Sequence, residues 1–74
     1  MINTLELLEK AAGRLITLIR VRNLATRSRY DSDLSAMVNI LKVMGFEVDF
    51  EWNNDAIERI MVSLDGEKIE RVVY

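Results

Sequence analysis

Two hydrophobic rhythms divide this chain. Over the first 44 residues the apolar positions recur at helical spacing. Leu5, Leu8, Ala12, Leu15 and Ile19 fall on one side of a 3.6-residue repeat, which predicts a first helix over residues 4–26. Asn3 followed by Glu6 reads as an N-cap with its acidic partner, and Ile2 and Leu7 occupy staple positions. Glu6 and Lys10 form an i, i+4 pair of favourable orientation. Thr26 to Tyr30 reads as a linker, Asp31 or Ser32 as the next cap, and residues 33–44 as a second helix that Gly45 ends.

After Gly45 the period becomes two. Phe46, Val48, Phe50 and Trp52 alternate with Glu47, Asp49, Glu51 and Asn53, the pattern of a strand buried on one face with Trp52 in the core. Asn53-Asn54-Asp55 is turn chemistry, residues 57–64 form a second strand, and Asp65-Gly66 signals a type I′ hairpin into a third strand at 67–74. A two-residue second turn sets Val62 opposite Ile69 and Glu58 opposite Val73. A three-residue first turn sets Asp49 opposite Arg59, Val48 opposite Ile60 and Phe46 opposite Val62. The expected fold is α+β in one domain, residues 1–74: an N-terminal helical hairpin on a three-stranded antiparallel meander, α-α-β-β-β.

The helices carry more apolar surface than such a fold can cover. On a helical wheel the apolar residues of the first helix span roughly 180°, against about 100° for a helix lying on a sheet. Packing of helix on helix absorbs part of the excess. The remainder is expected to form a subunit or partner interface, with Leu7, Ala11, Leu18, Val21, Ile40 and Val43 as its candidates, most simply in a homodimer. Gly13 interrupts the first helix, and a close-packed neighbour would account for it.

Composition narrows the chemistry. The 74 residues contain no cysteine and no histidine, which removes disulfides, thiolate nucleophiles, imidazole catalysis and zinc sites built from those ligands. So small a domain normally adds disulfides, a metal or oligomerisation to its core, and the first is excluded here. Ser63 and Lys68 face each other on the proposed hairpin, but beside an exposed turn they lack an oxyanion donor and a desolvating pocket. Glu47, Asp49 and Glu51 are too widely spaced along a straight strand for a calcium loop. Neither an enzyme nor a cofactor or metal is expected. The N-terminal segment, broken by Glu6, Glu9, Lys10 and Arg14, reads as neither a signal peptide nor a membrane span, which implies a cytoplasmic protein.

Charge is polarised along the chain although the net value is only −2. Residues 11–30 hold five arginines and no acid, whereas residues 31–74 hold ten acids against four cations. Arg20, Arg22, Arg27 and Arg29 beside Tyr30 form a candidate anion or nucleic-acid contact. Dipole-favoured cations at a helix C-terminus, or pairing with acids of the sheet, explain the same cluster more simply. The proposed outer sheet face carries Ile57, Met61, Val72 and Tyr74 among the acids, a mixture suited to protein recognition. Glu47, Asp49, Glu51, Met61 and Tyr74 are its candidate contact residues. The sequence therefore reads as a small non-enzymatic interaction domain that binds a protein partner stoichiometrically, as a regulator or inhibitor. A phage or mobile-element product blocking a host nuclease or defence complex is one concrete form, resting on size and lack of chemistry. Nucleic-acid binding through residues 20–30 is the alternative.

Overall fold

The computed structural model describes residues 3–24 and 27–74, with the side chains of residues 27–29 excluded. Helix α1 (Thr4–Leu24) and helix α2 (Arg27–Val43) precede strands β1 (Glu47–Asn53), β2 (Ala56–Leu64) and β3 (Glu67–Val72). The strands form an antiparallel sheet in the order β1-β2-β3, so the fold is α+β with the expected α-α-β-β-β order. Both helices lie on one sheet face, α1 against β2 and β3, α2 against β1. They run antiparallel: Leu7 and Met44 share one surface depression, Val21 and Tyr30 another.

Local chemistry sets the element ends. The Asn3 side chain accepts a hydrogen bond from the Glu6 amide at 2.8 Å, the expected N-cap. The staple partner Ile2 lies outside the described residues. At the other end of the hairpin α2 closes in a Schellman motif. Phe46 N–H donates to Leu41 O at 2.9 Å and Gly45 N–H to Lys42 O at 3.0 Å, while Gly45 takes a φ of +99°. Glycine adopts that conformation without a Cβ penalty. The start of α2 corrects the expected cap at Asp31 or Ser32, because the helix already begins at Arg27. Residues 27–33 carry almost no apolar period, so the pattern gave the earlier turn no signature. The Asp31 carboxylate instead accepts from Arg22 at 2.7 Å.

Leu8, Ala11, Ala12, Leu15 and Ile19 of α1 meet Ile57, Ile60, Val62, Leu64, Ile69 and Val73 in one core, joined by Leu34 and Phe46. The Asp65-Gly66 turn has positive φ at both residues (52° and 82°) and sets Val62 opposite Ile69, as expected. The first hairpin differs. Asn53 pairs with Ala56 across a two-residue turn in which Asn54 has a φ of 56°. The shorter turn moves the register by one and a bulge further along adds one more: Asp49 faces Met61, Val48 faces Val62 and Glu51 faces Arg59. A shift of two leaves every side chain on its expected face.

One irregularity changes faces. Between Glu51 and Trp52 the ladder advances one residue on β1 but two on β2, leaving Glu58 as the extra residue of a β-bulge. Ile57 is thereby turned inward and completely buried, which corrects its expected place on the outer face. Trp52 pairs with Ile57 at the end of the edge strand β1 and remains 52% exposed, which corrects its expected place in the core.

Candidate functional site

Within the arginine segment Arg22 turns inward, whereas Arg20 stays exposed. Arg22 is 5% exposed; its Nε donates to Asp31 Oδ1, and its Nη1 donates to Asn23 Oδ1 and to Asp55 O, each at 3.0 Å. Its guanidinium carbon lies 4.9 Å from the Trp52 ring centroid, and Trp52 meets Phe50 edge-on. Arg20 Nε donates to Val73 O. Asn23, one position past Arg22, uses its amide on both backbone groups of Ile57, donating to the carbonyl at 2.9 Å and accepting from the amide at 3.3 Å. The C-terminal turn of α1 is thus a latch on the ends of the meander. Sequence reasoning missed this role, because the partners of Arg22 and Asn23 lie up to 34 residues away. Arg22 is a structural cation and is withdrawn from any external anion. The contacts expected of Arg27 and Arg29 fall outside the described side chains, and Tyr30 is half-buried at the mouth of the helix–helix groove.

The outer sheet face, away from the helices, is a grid of three rows: Glu47–Ser63–Lys68, Asp49–Met61–Glu70 and Glu51–Arg59–Val72. Glu47, Asp49 and Glu51 are exposed as expected, Met61 is half-buried between Asp49 and Glu70, and Tyr74 is exposed just past β3. Much of its charge is matched within the grid. Arg59 reaches Glu51 at 4.0 Å and Glu70 at 3.8 Å, and Lys68 reaches Glu70 at 3.8 Å. Acidic side chains along an edge strand such as β1 also discourage strand addition by other chains. Ser63 and Lys68 are cross-strand neighbours, but the Lys68 side chain is 56% exposed and pairs with Glu70, so nothing desolvates it as a catalytic base.

The helical layer presents the other candidate. The excess apolar arc expected from the sequence is left uncovered: Leu5, Leu7, Val21, Leu24, Ile40, Val43 and Met44 are all exposed. Of the six candidate interface residues, Ala11 is buried and Leu18 packs partly against the core, whereas Leu7, Val21, Ile40 and Val43 face outward. Two contiguous depressions between α1 and α2 join through shared Lys10, Arg14 and Met37. Together they make one groove, running from Leu7 and Met44 at one end to Val21 and Tyr30 at the other. Val43 lies outside it. Among the described residues no cluster of three carboxylates offers a metal site, and no buried side-chain nitrogen or oxygen lacks a partner. Compared with known proteins, the chain matches no family model, no curated protein and no solved structure.

Proposed function

We propose that this protein is a small non-enzymatic interaction domain that binds a protein partner stoichiometrically, as a regulator or inhibitor, through the groove between α1 and α2. The observation that carries the reading is the uncovered groove itself. Leu7, Val21, Ile40 and Met44 line it and are each at least 36% exposed. Apolar surface that a monomer leaves in one continuous strip marks an interaction site, and methionines suit such a strip because their side chains adapt to a partner. The sheet face is the weaker docking surface, since its cations already neutralise part of its acids. The nucleic-acid alternative loses Arg22, which is buried among internal hydrogen bonds, and Arg20 spends its Nε on Val73 O. A cytoplasmic setting belongs to the same proposal; no helix of the described residues is long and apolar enough to cross a membrane.

Three immobilised baits test the reading: wild type, Ile40→Glu with Met44→Glu, and Glu47→Lys with Asp49→Lys and Glu51→Lys. All the altered side chains are exposed, so each bait keeps the wild-type circular dichroism. A partner retained in equimolar amount by wild type and by the sheet variant, and lost by the groove variant, supports the groove. Loss by the sheet variant alone moves docking to the acidic face. A homodimer is the competing occupant. Light scattering that finds a micromolar wild-type dimer, dissociated by the groove variant, assigns the groove to a second copy.

A further inference from the structure

The charges around the groove have one sign. Among the described residues its lining contains Lys10 and Arg14 and no carboxylate, in a chain with 12 acidic residues. Both cations border both halves of the groove, midway along α1. From Leu7 to Val21 the α1 wall runs roughly 21 Å at 1.5 Å per residue, about four helical turns. Two antiparallel helices form a trough that a third helix fills by ridge-into-groove packing at interaxial distances of about 8–10 Å.

Gly13 supplies an independent observation. Glycine in a helix interior costs about 1 kcal/mol relative to alanine. Nothing within this chain requires it here: a Cβ built at Gly13 meets no atom within 4 Å, and its φ is not in the positive range. Yet Gly13 lines the groove between the two cations' turns, where its bare backbone lets another chain approach closely.

We infer that the groove receives an amphipathic helix of a different protein, whose apolar stripe is flanked by carboxylates that meet Lys10 and Arg14. This rests on the groove being the docking face and names the chemistry of what docks there. The stripe fills the trough between Leu7, Leu18, Met37 and Ile40, and the stripe's backbone passes closest to α1 at Gly13. A second copy is a poorer occupant, because a two-fold arrangement sets the cation-rimmed groove against itself. An anionic membrane is poorer too. Surface attraction of that kind draws on clusters of about 4–8 cations, whereas the groove has Lys10 and Arg14 on a chain of net charge −2.

The test uses the intact protein and two model peptides of about 18 residues. They share one leucine stripe, flanked by glutamate in one peptide and by lysine in the other. Fluorescence anisotropy at low salt is expected to show the glutamate peptide binding about tenfold or more tighter than the lysine peptide, converging as salt screens the charges. Lys10→Glu with Arg14→Glu should reverse the preference. Gly13→Ala should raise the melting temperature yet weaken the glutamate peptide severalfold, a combination that a purely structural glycine does not give. Equal affinities for the two peptides, both abolished by Ile40→Glu with Met44→Glu, would overturn the acidic partner while leaving the groove as the docking face. No binding of the glutamate peptide at millimolar concentration would also overturn it. So would adsorption of wild type to phosphatidylserine vesicles with neither peptide bound.

Discussion

The guanidinium of Arg22 lies over the ring of Trp52, 4.9 Å from its centroid, and the pair joins the end of α1 to the end of β1. Arg22 is buried and Trp52 is half-exposed, the reverse of what their side-chain chemistry would assign. The arginine is admitted because Asp31, Asn23 and the Asp55 carbonyl take its hydrogen bonds. The bulge at Glu58 then gives the neighbouring core place to Ile57 and leaves the indole as a lid on the cation.

Arg22→Met should destabilise the fold by about 2–3 kcal/mol, because the Asp55 carbonyl and the Asn23 amide lose a buried donor. Arg22→Lys should recover little, since a single ammonium cannot reproduce the planar fork. Asp31→Asn should cost less than about 1 kcal/mol, its side chain being 54% exposed. Urea unfolding midpoints rank the three variants, and a wild-type midpoint for Arg22→Lys would contradict the latch.

Trp52→Ala should lose only about 1–2 kcal/mol, the worth of one edge-on aromatic contact and one cation–π contact. A core tryptophan would cost about 3–5 kcal/mol and unfold so small a domain. Emission from the folded protein should be that of a partly hydrated indole, open to iodide quenching. A blue-shifted, unquenched spectrum would place Trp52 back in the core.

The difference between these two outcomes lies in a single residue. Alternation of Phe46, Val48 and Phe50 was legible because sheet geometry has a strict period, and the Asp65-Gly66 turn because positive φ selects those residues. The N-cap at Asn3 and the stop at Gly45 were legible for the same local reason. A bulge has no such signature. Glu58 looks like any polar strand residue, yet inserting it turns Ile57 to the inner face, where it takes the core place and leaves the Trp52 indole exposed on the same side as Phe50. The first turn length failed because Asn53-Asn54-Asp55 suits two- and three-residue loops alike. The excess apolar arc on α1 and α2 was legible, and the structure leaves part of it exposed. The inward use of Arg22 was not, because it depends on chain segments brought together only by folding.

Asn23→Ala should cost about 2 kcal/mol, because it strips both backbone partners from Ile57 beside the bulge. Asn23→Asp should do no better, since it faces a carboxylate with the Ile57 carbonyl. Amide exchange at Ile57 should accelerate in the alanine variant, which removes the acceptor of its N–H, while Val62 stays protected. Unchanged exchange at Ile57 would show that the side chain is not its partner.

Gly45→Ala should destabilise by more than about 1 kcal/mol, because alanine is strained at a φ of +99°. Space is not the cause, as the nearest atom to an added Cβ is Leu64 Cδ1 at 3.7 Å. Gly45→Asn, which tolerates the left-handed region better, should fall between the two. Thermal melts that rank alanine above asparagine would contradict the Schellman end of α2.

The claim that the helical layer is the working surface is tested most directly by hydrogen exchange of the complex with the captured partner, read residue by residue. The account predicts new protection along α1 between Leu7 and Val21 and along α2 between Met37 and Met44. Exchange at Glu47, Asp49, Glu51, Met61 and Glu70 should be unchanged. Protection confined to β1 and the outer sheet rows, with the groove exchanging as in the free protein, would contradict it.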